Sequence, residues 1–226
     1  MIVFFDIGST LIEGPPFGPA RRLSEMLGLG PEAVKELERI LFRSPARDPE
    51  QLANTVVNRL RVDHAKALEA CTSLWNAQLE EAYVLPGARE LIEKLKSAGI
   101  PRAYLSNIWP PFYEHFKQEF PGEVDSQPQF LSFETGLIKP DPAFFQLALR
   151  AVEARAEEAI MVGDTYKNDI RPAIELGMRT VWVLHRPEKE KADLIKVMNG
   201  DAPPPDFTLA SIADLELSKL LSHANY

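Results

Sequence analysis

Apolar residues in this chain fall into short uncharged runs, separated by longer stretches that repeat with a helical period. Ile2-Val3-Phe4-Phe5, Ala103-Tyr104-Leu105, Ala159-Ile160-Met161-Val162 and Thr180–Leu184 have the pattern of strands buried on both faces. Gln129–Phe133 predicts a further short strand. Between these runs, Ala88–Ala98 places Leu91, Ile92 and Leu95 on one face and stops at Gly99, which predicts a helix. Helices are likewise predicted around Phe112–Phe120, at Pro142–Ala154 and at Ile170–Leu176, the last ending at Gly177. Helices alternating with short apolar strands imply right-handed crossovers and a mostly parallel sheet. The predicted fold class is therefore α/β, with a Rossmann-like parallel-sheet core.

The stretch from about Ala20 to Val84 has a different pattern. It follows a breaker-rich linker, Gly14-Pro15-Pro16-Phe17-Gly18-Pro19. Pro31 opens a segment with Ala33, Val34, Leu37, Ile40 and Leu41 at helical spacing, and Pro49 opens another with Leu52, Val56, Val57 and Leu60. Asp63 is the predicted N-cap of a longer helix carrying Ala67, Leu68, Cys71, Leu74, Trp75 and Leu79. No strand is predicted here. The expected organisation is an α/β core over 1–13 and 86–226 with a small all-α insert over 14–85. Pro203-Pro204-Pro205 predicts a loop, and Ser211–Leu221 a closing helix.

A net charge of −8, with no large basic patch, argues against nucleic acid as a partner. No apolar stretch approaches the roughly 20 residues of a bilayer span, so no membrane partner is expected. The single cysteine, Cys71, forms no internal disulfide, and Met1 leads into the first strand without the basic region of a secretory leader. Cytoplasmic location is the expectation.

Four polar clusters each follow an apolar run: Asp6-Ile7-Gly8-Ser9-Thr10, Ser106-Asn107, Lys139-Pro140, and Gly163-Asp164-Thr165-Tyr166-Lys167-Asn168-Asp169. If the runs are parallel strands, their carboxyl ends gather three aspartates, a lysine and a serine in one crevice, where open α/β sheets bind ligands. That set suits phosphoryl transfer through an aspartyl intermediate assisted by magnesium.

The four clusters, in this order and with the aspartate pair ending the last, resemble the motifs of haloacid-dehalogenase-superfamily hydrolases that carry an all-α cap between the first and second motifs. The resemblance covers residues 1–13 and 86–185; the insert matches in position and helical character alone. It implies a phosphatase of small phosphorylated metabolites, monomeric or homodimeric, with Asp6 as nucleophile. It further implies Mg²⁺ held by Asp6, the Gly8 carbonyl, Asp164 and Asp169. Lys139 would neutralise the nucleophile and the phosphoryl group. The Ser106 hydroxyl and the Asn107 backbone N–H would hold phosphate oxygens.

Gly8 departs from the pattern, because phosphatases of this superfamily carry a second aspartate there. A general acid–base at that position is worth about 10²–10⁴-fold. Three readings stay open: a phosphatase protonating its leaving group by other means, a hydrolase of carbon–halogen or carbon–phosphorus bonds, and a non-catalytic phosphate- and metal-binding protein. For the carbon–phosphorus variant, Lys66 and Lys35 are the lysines of the insert to weigh. Glu13, a possible substitute acid, reads primarily as a solvated hinge residue. Tyr166 and Lys167 read as exposed loop or pocket rim, and the aromatics from Trp109 to Tyr113 either stack on substrate or pack beneath the insert. Trp75 and Trp182 read as core, and the four histidines show no ligand spacing.

Overall fold

Successive side chains of the first strand face two different cores, as the period-2 geometry of a strand requires. In the computed structural model, which describes residues 1–221, Val3 and Phe5 pack with Leu91, Leu95 and Phe116, whereas Ile2 and Phe4 pack with Phe144, Phe145 and Ala173. This strand, β1 (Ile2–Phe5), precedes a two-residue strand β2 (Ile12–Glu13) and the helices α1 (Pro19–Leu27), α2 (Val34–Arg43), α3 (Pro49–Leu60) and α4 (His64–Glu81). After β3 (Tyr83–Val84) come α5 (Ala88–Ser97), β4 (Arg102–Ser106), α6 (Pro110–Glu119) and α7 (Pro121–Ser126). β5 (Gln129–Leu131), α8 (Ser132–Thr135), α9 (Pro142–Ala151) and β6 (Ala159–Gly163) follow. The described chain closes with α10 (Arg171–Leu176), β7 (Arg179–Val183), α11 (Pro187–Asn199), β8 (Phe207–Leu209) and α12 (Leu217–Leu221).

The main sheet has the order β5-β4-β1-β6-β7-β8, and every pairing in it is parallel. From β1 the chain first builds outward through β4 and β5, then returns and builds the other way through β6, β7 and β8. The order therefore reverses at β1, and the crevice of the sheet opens beyond its carboxyl end.

The helices α1 to α4 bury their own apolar cluster, in which Leu23, Leu37, Leu41, Val56, Leu74 and Trp75 meet Trp109 at the start of α6. Asp48 and Asp63 cap α3 and α4, accepting from the Gln51 and Lys66 backbone N–H at 2.8 and 2.9 Å. Trp109 joins this layer to the sheet: its ring lies edge-on to Trp75 at 5.7 Å and its Nε1 donates to Gln78 Oε1 at 3.1 Å. Trp109 and Phe112 thus pack against the helices while also lining the crevice, and Tyr113 belongs to the core on the sheet. Trp182 is core, as expected.

Three expectations need correction, and two elements were not predicted. Tyr83–Val84 is a strand, pairing antiparallel with Ile12–Glu13, so the two chain crossings between helices and sheet are laced together. The helix α11 and the strand β8 had no sequence prediction. Ser211–Leu221 is no continuous helix: Ser211 and Asp214 form a capping box around a 3₁₀ turn, Leu215 is extended, and α12 begins only at Leu217. Tyr166 is buried rather than exposed, its hydroxyl donating to the Pro203 carbonyl at 2.6 Å.

Candidate active site

Asp6 leaves the end of β1, and its backbone N–H donates to the Val162 carbonyl of β6 at 2.9 Å, which holds the two loop starts side by side. Ile7 then turns into the core, and Ser9 adopts a left-handed conformation with φ 57°, bringing Gly8 to the wall of the crevice. Asp164 follows β6 directly. Asp169 comes from one π-helical turn, Tyr166–Ile170, whose side chain folds back instead of capping the next helix: its Oδ2 accepts from the Thr165 N–H at 2.9 Å. Gly163 makes this possible. A Cβ there would lie 2.5 Å from the Asp169 Cβ and Cγ, so no larger residue fits without displacing the carboxylate.

Carboxylate oxygens of Asp6, Asp164 and Asp169 lie within 4.8 Å of one another, and all three residues are buried. Lys139 reaches them from the loop after α8, its Nζ donating to Asp6 Oδ1 at 2.7 Å and to Asp169 Oδ1 at 2.5 Å. Asn107 positions that loop. Its side-chain amide donates to the Lys139 carbonyl at 2.9 Å and accepts from the Lys139 N–H at 2.8 Å. Asp6, Lys139, Asp164 and Asp169 are thus brought together as expected. Ser106, at the end of β4, is fully buried and its hydroxyl meets no hydrogen-bond partner among the described residues, while its neighbour Asn107 lines the cavity.

Sequence reading missed Arg186, which lies in the loop between β7 and α11. Its Nη2 donates to Asp164 Oδ2 at 2.6 Å, and its Nη1 lies 3.7 Å from Glu13. Glu13 is no solvated hinge. It is buried in β2, accepts from Ser9 Oγ at 3.2 Å and from the Gly14 N–H at 3.0 Å, and lies 3.4 Å from His185 Nε2. Lys66, weighed as an imine-forming lysine, donates its Nζ to the Leu27 carbonyl at the end of α1.

The electrostatics follow from this crowding. Burial pushes the Asp164 carboxyl above its ordinary value; Asp169 and Asp6 add to the shift, and Arg186 opposes it. Asp169 is raised too, by burial first, with Lys139 pulling the other way and Asp6 adding. Burial alone would lower the Lys139 ammonium, but Asp169 and Asp6 outweigh it and its pKa lies above the usual lysine value. Three carboxylates face two cations here, leaving a net negative site of hard oxygen donors. That donor set fits a divalent cation of the oxygen-preferring kind.

Above these groups lies a cavity of about 540 Å³, walled by the strand ends, the Gly14–Pro19 linker and one face of α2. That volume is typical of a small-molecule site.

The haloacid dehalogenase-like hydrolase family matches residues 1–177. A ribulose-1,5-bisphosphate 5-phosphatase of Halopiger xanaduensis is 31% identical over 198 residues, 79% of this chain and 82% of that protein. A glyceraldehyde 3-phosphate phosphatase of Pyrococcus furiosus is 26% identical over 193 residues, covering 80% of this chain and 79% of its own length. Among solved structures, a HAD phosphatase from Thermococcus onnurineus superposes with a TM-score of 0.58 at 25% identity, over 97% of each chain. With the family matching over more than half of its length and a motif set in one crevice, this chain belongs to the haloacid dehalogenase-like hydrolases.

Proposed function

We propose that the protein is a phosphatase of small phosphorylated metabolites, acting through an aspartyl phosphate on Asp6. One observation carries this reading: Lys139 bridges Asp6 and Asp169, and the Asp164 carboxylate lies beside them in a buried crevice at the sheet's switch point. The phosphatase names of the two relatives support it.

Lys139 holds Asp6 Oδ1 and fixes the carboxylate's plane, and no hydrogen bond among the described residues engages Oδ2. We assign Oδ2 as the attacking atom. As the Oδ2–P bond forms, the bond from phosphorus to the leaving oxygen breaks. The Lys139 ammonium stays close to the charge that accumulates on the phosphoryl oxygens. Ser106, with an unpartnered buried hydroxyl, and the Asn107 backbone N–H are the assigned holders of phosphate oxygens. Water then attacks phosphorus, releasing inorganic phosphate and restoring the Asp6 carboxylate. Asp6, the Gly8 carbonyl, Asp164 and Asp169 are the assigned ligands of Mg²⁺, which when bound supplies positive charge to the transferring phosphoryl group.

Because Gly8 brings no acid, proton delivery to the leaving oxygen falls to water, the substrate or the Glu13 carboxyl in the cavity wall. The reading therefore favours good leaving groups such as aryl and acyl phosphates. The helices from Pro19 to Glu81 act as a cap over the site, closing about the laced strands at its two crossings.

A phosphate-release screen over aryl, acyl, sugar and nucleotide esters, with Mg²⁺ and with EDTA, tests the proposal. Mg²⁺-dependent release, fastest from aryl or acyl esters, is the expected result. Halide release from a 2-haloacid that persists in EDTA, or no ester turnover at all while phosphate still binds, would replace it with one of the two alternatives.

A further inference from the structure

The walls of the cavity divide by charge. At its base stand Asp6, Asp164, Asp169 and Glu13, partly balanced by Lys139 and Arg186. The remaining charged lining residues are Lys35 and Arg39 of α2, Lys189 of α11, and a single acid, Glu38. In a chain whose net charge is −8, the outer part of this cavity is positive.

The placement of Lys35 and Arg39 is a consequence of helix geometry. Leu37, Ile40 and Leu41 face the apolar cluster of the helical layer, so the opposite face of α2 presents Lys35, Glu38 and Arg39, at i, i+3 and i+4, to the cavity. Lys35 has no ion pair or hydrogen bond among the described residues, which leaves its ammonium available. Among the described residues Arg39 pairs only with Glu36 on its own helix, at 3.2 Å, and its side chain is 66% exposed. Lys189 points across the linker towards the Pro16 carbonyl at 3.4 Å. Three cations from two separate elements thus converge on the same cavity as the acidic base, and about 540 Å³ is more room than one phosphoryl group fills.

We propose that this outer part is a subsite for a second anionic group, a phosphate or carboxylate at the far end of the substrate, held by Lys35, Arg39 and Lys189. The inference rests on the phosphatase reading for which end of the substrate reacts, but it concerns only the end that does not. One phosphate sits over Asp6 while the distal anion reaches the positive rim. A substrate with one charged end leaves those cations unpaired with ligand, so the rim selects for a doubly anionic molecule.

The test is a binding measurement that needs no turnover. Calorimetry on Asp6→Asn protein with Mg²⁺ compares a five-carbon diol monophosphate, the corresponding bisphosphate, and the monophosphate with a carboxylate at its far end. The bisphosphate is expected to bind about tenfold more tightly than the monophosphate, from exposed charge pairs each of modest strength. The advantage should shrink at high salt. Adding Lys35→Ala and Arg39→Ala together should reduce it to about twofold or less, and Lys189→Ala alone should reduce it in part. If the carboxylate compound equals the bisphosphate, the subsite takes carboxylates as readily as phosphates; if it equals the monophosphate, the distal group is a phosphate. Equal affinity for mono- and bisphosphate in the rim-intact protein, or an advantage untouched by the double substitution, overturns the subsite. Loss of the phosphatase reading shows separately, as absent ester turnover by the chain with Asp6 in place, whatever the binding ratio.

Discussion

Replacing Lys139 with methionine keeps the stem and removes the ammonium that touches Asp6 at 2.7 Å and Asp169 at 2.5 Å. In metal-free protein, kept so with EDTA, the buried carboxylates then face Arg186 alone. Breaking a buried ion pair by deleting one partner costs about 3–5 kcal/mol. For a chain of this size each kcal/mol moves Tm by about 2–4 °C, so the expected fall near neutral pH is about 6–20 °C. The pH dependence carries a sign. Asp164 and Asp169 bind protons more tightly folded than unfolded, so each favours the fold most below the unfolded carboxyl value of about 3.9 and loses that advantage as pH rises through its folded value. Lys139, with its raised value, contributes fully below the unfolded lysine value of about 10.4 and loses that contribution as pH rises through its folded one. Without Lys139 the carboxyl values climb further, and the variant's deficit is small near pH 4 and full near pH 8. Thermal melts of both proteins across that range, in EDTA, are the assay. A variant within about 2 °C of the parent at every pH refutes the claim that Lys139 balances this cluster.

Three other substitutions probe separate steps of the account. Gly163→Ala puts a Cβ 2.5 Å from the Asp169 side chain and should cost about 1–3 kcal/mol and most phosphate release; a melt and activity matching the parent would show that Asp169 has room to move. Gly8→Asp meets only an ordinary contact, 3.6 Å to Phe112 Cε1, so it should fold normally and raise kcat on alkyl phosphates about 10²-fold, whereas an unchanged kcat removes the missing acid as the limitation. Glu123→Ala strands the buried Arg102 guanidinium, which now donates twice to Glu123 at 2.5 Å beside the Tyr104 hydroxyl at 2.7 Å. It should lower stability by about 3–5 kcal/mol without changing kcat, as denaturant melts and initial rates would report.

The parallel sheet was legible because its central strands are short, uncharged and buried on both faces, and because three of the four polar clusters sit where such a strand ends, after β1, at the end of β4 and after β6. The same logic located Asp6, Asp164 and Asp169; Lys139 instead stands on the loop between α8 and α9, where no strand ends. That logic did not extend to Arg186, although Leu184-His185-Arg186 also follows a strand, because an arginine among charged neighbours carries no signal until its partner 22 residues away is known. Asn107 was expected to use its backbone; the amide side chain's two bonds to the Lys139 backbone lie 32 residues apart in sequence and no local pattern marks them. Elements of two or three residues, such as β2, β3 and β8, are too short to show any period. α11 went unread because it is charge-rich and only Asp193 of it is buried. Glu13 looked solvated because it follows a breaker-rich boundary in sequence, yet the pairing of β2 with β3 carries it inside.

The most direct test is Asp6→Asn, which alters one atom of the carboxylate that Lys139 holds and leaves the packing of β1 intact. Phosphate release from an aryl phosphate in Mg²⁺ should fall below detection, while the melt and the affinity for the unreacted ester stay near those of the parent. Turnover within about tenfold of the parent would contradict an aspartyl phosphate at Asp6.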